Sequence, residues 1–169
     1  LKKDKYFLIS FHREENVDVK QNLNKFFELI KWLKNEYKKK IVISTHYRTK
    51  KRIIENSKNI SFNKDIMFLK PFSFSDYIKL QKNSFIVLSD SGTLTEETSI
   101  LKIKSIMLRN SHERPEGMEE ATTIMCGLDQ KKIQIAIKIL RGKIAQKLVK
   151  DYDASNFSDK IVKNILSYL

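Results

Sequence analysis

Phe85-Ile86-Val87-Leu88-Ser89-Asp90-Ser91-Gly92-Thr93-Leu94-Thr95-Glu96-Glu97 decides how this chain is read. Its first four residues are an apolar run of the kind that marks a buried strand. The run stops at Ser89, and a helix-start pattern follows at once. Thr93-Leu94-Thr95-Glu96 has the spacing of a capping box, with Thr93 at the N-cap and Glu96 at N3. A strand that turns through Ser91-Gly92 into a helix aims backbone N–H groups and a positive dipole end at whatever lies above it. Gly92 has no Cβ, so a ligand can approach the main chain there. The stretch therefore predicts a turn built to hold phosphate. Glu97 lies about 100° further round the helix than Glu96 and has no cap role. It either reaches a sugar hydroxyl beside the phosphate or is simply a favourable acid in a first helical turn.

Outward from this point the chain alternates strands and helices. Strands are expected at Tyr6–Phe11, Ile41–Ser44, Ile66–Leu69, Phe85–Leu88 and Ser105–Leu108, with a short sixth at Thr122–Met125. Val19–Tyr37 carries apolar residues at Leu23, Phe26, Phe27, Ile30 and Leu33, the period of an amphipathic helix. Further helices are expected at Thr49–Ser57, Phe74–Gln81, Thr95–Leu101, Lys131–Leu140 with a possible extension to Lys147, and Ser158–Tyr168. Short apolar strands without alternation, separated by helices, mean a parallel sheet covered on both faces. Such α/β sheets bind ligands beyond the carboxyl ends of their strands. His12-Arg13, His46, Pro71–Tyr77, Ser89–Thr93 and Arg109–Gly117 all follow strands, so they converge on one rim. The fold class is α/β, Rossmann-like, with one domain over residues 1–169.

The 169 residues include 33 Lys and Arg against 20 Asp and Glu, a net charge of +13. A charge of that size invites a nucleic-acid reading through counterion release. Zinc-finger spacing and an aromatic RNP pattern are both missing, and the lysines are spread along the chain. Some of the field is left to attract an anionic ligand, and a basic membrane-facing surface is a further reading that no motif specifies. G-x-G-x-x-G and Walker A patterns are absent too. Cys126 is the one cysteine, which excludes an intramolecular disulfide and a cysteine metal cluster and suits a small buried apolar role. No apolar run nears the ~18 residues of a membrane span. With no signal peptide at its head, the expected location is the cytoplasm, and a start at Leu1 rather than Met suggests a truncated or processed chain.

Ser89-Asp90-Ser91-Gly92-x-x-x-Glu96-Glu97 followed by Arg109-x-x-x-Glu113-Arg114-Pro115-Glu116-Gly117 resembles the non-hydrolysing UDP-N-acetylglucosamine 2-epimerase family. His12-Arg13-Glu14-Glu15-Asn16 is similar to that family's His-Arg-x-Glu-Asn segment, and Pro71-x-x-Phe74-x-x-Tyr77 to its Pro-x-x-Tyr-x-x-Phe. The resemblance covers the C-terminal half of such an enzyme. It implies the C-terminal domain of a two-domain GT-B-type fold, with the segment from residue 151 to 169 reaching toward the N-terminal half. It implies UDP-sugar binding, a homodimer in the full-length enzyme, and a role in bacterial capsule or O-antigen precursor synthesis. The reaction so implied removes the C2 proton, expels UDP to leave a glycal and adds it back on the other face, with no nicotinamide and no metal.

By the same resemblance, His12 assists catalysis near the pyrophosphate, and Arg13 is a phosphate or structural partner. Ser91, Gly92 and Thr93 hold the diphosphate, Glu97 the ribose hydroxyls, and Arg114 the ligand from the next loop. Tyr77 lies by the uracil, Phe72 offers a backbone contact, and His46 marks an effector pocket. Each has a plainer role by its residue type: a strand-end or loop histidine, an aromatic packed beside a proline. By residue type Glu113 and Glu116 are candidate catalytic acids, and the plainer reading is a salt bridge from Glu113 to Arg109 or Arg114. Thr93 replaces a Gly and His112 a Thr of many members, which looks more like the branch that makes UDP-N-acetyl-L-fucosamine. Two rival readings are a GT-B glycosyltransferase C-terminal domain and, outside enzymes, a basic nucleic-acid-binding module.

Overall fold

The computed structural model describes residues 1–56, 64–142 and 148–168. Six parallel strands form one sheet in the order β3-β2-β1-β4-β5-β6. They are β1 (Tyr6–Ser10), β2 (Lys40–Ser44), β3 (Ile66–Leu69), β4 (Ile86–Ser89), β5 (Ser105–Met107) and β6 (Ile124–Met125). Between and after them run α1 (Glu14–Val17), α2 (Lys20–Tyr37), α3 (Tyr47–Asn56), α4 (Phe74–Asn83), α5 (Leu94–Leu101), α6 (Pro115–Glu119), α7 (Gln130–Arg141) and α8 (Phe157–Leu166). This is the doubly wound Rossmann order, whose switch point falls between β1 and β4.

Alternation within the strands sorts the core into two layers. Phe7 and Ile9 face α2 and α7, joining Leu23, Phe26, Ile30 and Leu33 with Ile133 and Ile137. Tyr6 and Leu8 face the other way, joining Val42, Val87, Leu94 and Met107. β1 is therefore apolar on both faces because both are covered. Each such side chain contributes roughly 1.5–3 kcal/mol by leaving water.

The expected elements are all present, with shifted ends. Phe11 falls beyond β1 but stays fully buried, its ring stacked on Phe26 at 4.1 Å. α3 begins two residues early, at Tyr47, and Ser57 lies outside the described residues. The Asp129 side chain caps α7 by accepting from the amides of Lys131 and Lys132. The helix stops at Arg141 because Gly142 turns extended, and residues 143–147 lie outside the described residues. α1 and α6 are helices where the sequence pattern gave loops. Each is under two turns, too short for an apolar period to show, though Pro115 sits at the favoured first position of α6.

The segment expected to reach toward the N-terminal half is fastened to the domain where it begins. Val149 is buried and its amide donates to Ser99 Oγ at 2.8 Å. The Tyr152 hydroxyl donates to Glu116 Oε1 at 2.8 Å. α8 beyond it is different: none of its residues is buried, and Phe157, Val162, Ile165 and Leu166 are each more than half exposed.

Candidate functional site

The loops after β1 and β4 meet at the switch point through one carboxylate. Asp90 is fully buried and accepts from the amides of His12 (3.0 and 3.1 Å) and Arg13 (2.9 Å) and from Asn16 Nδ2 (3.1 Å). Asn16 also donates to the Leu108 carbonyl at 3.3 Å, which ties in the loop after β5. His12 Nδ1 stands 3.3 Å from Asp90 Oδ1 and 3.3 Å from Ser10 Oγ. With its proton on Nδ1 the ring donates toward the carboxylate, which only accepts, and Nε2 is left on the far side of the ring. Asp90 and Asn16 stand within the sequence motifs above without an expected role of their own. An acid set between two serines directly after a buried strand was the available signal.

Above the start of α5 lies a pair of guanidinium groups. A Cβ on Gly92 would stand 2.7 Å from Arg114 Nη1 and 3.6 Å from Arg13 Nη2. Gly92 is itself buried, so its cover is cationic. Among the described residues, the amides of Gly92 and Thr93 have no protein acceptor, whereas the Ser91 amide is taken by Ser89 Oγ at 3.0 Å. Two free amides, a helix dipole and two guanidiniums thus converge on one place, which is the chemistry of a phosphate site. Arg114 is aimed by Glu96, which accepts from its Nε, and by His112, whose Nδ1 accepts the Arg114 amide at 2.8 Å. α6 presses so closely on α5 that a Cβ at Gly117 would lie 2.0 Å from Thr95 Cγ2. Arg13 has no carboxylate within ion-pair distance among the described residues.

The expected capping box does not form. Thr93 is at the N-cap but in helical conformation (φ −65°, ψ −10°) with no side-chain cap bond. Its hydroxyl donates to Glu97 Oε1 at 3.0 Å and accepts from the Ser91 hydroxyl at 2.9 Å. Glu96, freed of the cap, takes Arg114 instead. Glu97 also accepts from Gln81 Nε2, and burial raises its carboxyl above the ordinary range, partly offset by those two donors. The Tyr77 hydroxyl lies among Ser10, Glu97 and Gln81, its pKa raised by burial first and then by the Glu97 charge. Phe72 and Tyr77 both pack against the apolar layer of Leu94 and Val87. The exposed His46 sits with its ring 5.9 Å from that of His12, so the two histidines share one rim. Glu113 pairs with Arg109 at 3.0 Å and lies 3.9 Å from Arg114, as its reading as a salt-bridge acid expected. His112 is occupied internally: with Nδ1 accepting, its Nε2–H points to Thr95 Oγ1 at 2.7 Å. Among the described residues, no group of His, Cys, Asp or Glu is placed to hold a metal ion, and no helix is long and apolar enough to cross a membrane.

The family described as UDP-N-acetylglucosamine 2-epimerase matches residues 1–166, which takes in every residue of this rim. The chain belongs to that family. The UDP-N-acetylglucosamine 2-epimerase of Methanocaldococcus jannaschii is 39% identical over 142 residues, 83% of this chain and 39% of the relative. The solved structure of the M. jannaschii enzyme with UDP-GlcNAc and UDP superposes with a TM-score of 0.87 at 36% identity, over 99% of this chain and 46% of that one. The enzyme from Rickettsia bellii gives 0.83 at 40% identity, over 99% and 46%. An E. coli heptosyltransferase with ADP, at 14% identity and a TM-score of 0.55 over 80% of this chain and 44% of that one, shares the fold alone. The architecture is that of the C-terminal domain of a GT-B-type epimerase. The chain spans less than half the length of the relatives it matches.

Proposed function

We propose that this chain is the UDP-binding half of a UDP-N-acetylglucosamine 2-epimerase, an isomerase that inverts C2 by eliminating UDP and adding it back. The observation that carries the reading is the convergence of the Gly92 and Thr93 amides with the Arg13 and Arg114 guanidiniums. A departing diphosphate gathers negative charge as its bond to the sugar breaks, and donors already aimed there stabilise that charge. Ser91 and Thr93 line the same turn, and His12 presents Nε2 beside it. Glu97, held by Thr93 and Gln81, is placed for the ribose hydroxyls, with Tyr77 and Phe72 on the uracil side. His46, next to His12, sits where an effector would meet the substrate.

The sugar proposed is the one for which the relatives are named, in place of the 6-deoxy sugar suggested by Thr93 and His112. Both of those residues have structural work: Thr93 holds Glu97, and His112 holds Arg114. The nucleic-acid reading gains no support, and the glycosyltransferase rival has likeness of fold only. The proposed whole enzyme is cytoplasmic and dimeric, and supplies precursors for a surface polysaccharide. Its N-terminal half closes over the strand ends, and the unpartnered apolar face of α8 docks on that half.

Calorimetric titration of the 169-residue chain with UDP tests the site. Binding is expected, weakened about tenfold or more by Arg13→Ala, since a charge-assisted bond is worth roughly 1.5–3 kcal/mol. Equal affinity in the variant would refute the phosphate assignment. The chain alone is expected to show no epimerisation of UDP-N-acetylglucosamine, and turnover by it would refute the division of labour between the halves.

A further inference from the structure

The net charge of +13 is not spread evenly over the fold. At the rim of the candidate site, arginines other than Arg13 are matched by acids: Arg48 with Glu14, Arg109 with Glu15 and Glu113, and Arg114 with Glu96. The opposite rim, where the strands begin, is built otherwise. The chain enters β1 through Lys2, Lys3 and Lys5, and β2 through Lys38, Lys39 and Lys40. It enters β3 through Lys64, β4 through Lys82, and β5 through Lys102 and Lys104. All of these are exposed except Lys39, which is half-buried. The acids in these entry segments are Asp4 and Asp65, Asp65 being held by Lys34 at 2.6 Å, while the remaining entry, to β6, follows Glu119 and Glu120 at the far edge of the sheet.

The lysines act together. Adjacent strands lie about 4.8 Å apart, so neighbouring entries fall well inside the ~8 Å screening length of physiological salt. Lys5, Lys39, Lys82, Lys102 and Lys104 surround one cavity of about 460 Å³, with Asp4 as its acid. Lys39 is held there by the Asp4 carbonyl at 2.6 Å and over the Phe85 ring at 4.2 Å. Burial first and then the Lys5 charge lower its pKa, Asp4 partly offsets them, and Arg141 lowers it further, so Lys39 stands among other cations with Asp4 as a partial counter-charge. An anionic partner adds to that counter-charge.

We propose that this lysine rim is a docking surface for an anionic lipid membrane. Lysine is a mobile, strongly hydrated point charge, suited to diffuse attraction by acidic headgroups. The entry segments contain no arginine to fork onto a nucleic-acid phosphate, and Phe85, their aromatic besides Tyr6, carries Lys39 over its ring and packs against Phe7 and Tyr37. Tyr6 is buried. The rim is a row of loop ends along one edge of the sheet, a shape that meets a flat surface. Docking there points the strand ends that carry His12, Gly92 and Arg114 away from the lipid, leaving them free for a soluble ligand.

Co-sedimentation of the 169-residue chain with phosphatidylcholine vesicles, with and without phosphatidylserine, tests the assignment. The chain is expected to bind the phosphatidylserine vesicles only, and less tightly as salt is raised. The triple variant Lys82→Glu/Lys102→Glu/Lys104→Glu is expected to bind about 100-fold less tightly, from roughly fivefold per lysine near an anionic surface. Circular dichroism of that variant should match the parent, since the three side chains are exposed. Equal binding to neutral vesicles, full binding by the folded variant, or tighter binding to duplex DNA than to the anionic vesicles at matched charge would each overturn the proposal.

Discussion

Replacing Asp90 by Asn changes one atom and should cost a large share of this domain's stability. Asp90 is fully buried and surrounded by donors alone: the amides of His12 and Arg13, Asn16 Nδ2 and His12 Nδ1. Hydrogen bonds to a charged group are worth about 1.5–3 kcal/mol each, and a buried donor left without a partner costs about 1–3 kcal/mol. The Asn carbonyl oxygen keeps part of the set. Its NH2 group, however, takes the place of one acceptor, facing the Arg13 amide and Asn16 Nδ2 at the Oδ2 position or His12 Nδ1 at the Oδ1 position. A loss of about 3–5 kcal/mol follows, against total stabilities of roughly 5–15 kcal/mol for domains. With urea m-values of about 1–3 kcal/mol per molar, the unfolding midpoint should fall by roughly 2 M. Urea titration followed by circular dichroism measures this directly. Because the same carboxylate orients the His12 ring, the Asn variant should also lose the Nδ1–H tautomer in imidazole 15N spectra. A midpoint shift below about 0.5 M with an unchanged tautomer would mean that Asp90 neither joins the loops nor sets the histidine.

Gly92→Ala should leave stability nearly unchanged, because the atom it meets is the far end of the Arg114 side chain, yet weaken UDP binding about tenfold by displacing that guanidinium; calorimetry paired with a thermal melt separates the two effects. Glu97→Gln should fold, since the Gln81 amide can turn its unpartnered Oε1 toward the new NH2. The Glu97 carboxyl is raised in the folded state, so wild-type stability is greatest below the unfolded carboxylate value and falls as pH rises through the raised one. The variant lacks that loss, so its stability relative to wild type should grow with pH across this window in paired urea melts and then level off; a pH-independent difference would contradict the burial argument. Cys126, buried and with its thiol pushed up to about 11, should react with a disulfide reagent at pH 8 only as fast as the domain opens, and a fast native-state reaction would refute its burial.

Most of the architecture was legible because strands buried on both faces are continuous apolar runs, and Phe85–Leu88 or Ile41–Ser44 allows little else. Strand order was not, since nothing in those runs says which neighbours pair. The rim was legible too, because residues that follow parallel strands must gather at one end. Which atoms meet there was hidden. Glu96 and Glu97 look alike in a first helical turn, and local rules gave Glu96 to a cap. In the structure Glu96 is claimed by Arg114, eighteen residues later, and Glu97 by Gln81, sixteen residues earlier. Asp90 went unassigned because all the donors it gathers come from near His12, seventy-four to seventy-eight residues away. A capping box is a contest between a local hydroxyl and whatever the fold delivers, and here the fold delivered charges. Thr93 could then turn helical and give its hydroxyl to Glu97, leaving its own amide and that of Gly92 without a protein partner. The failure of the local rule thus has its origin in long-range partners: Arg114 draws Glu96 away from the helix start, and Glu97, held by Gln81, takes the Thr93 hydroxyl that a cap would have used.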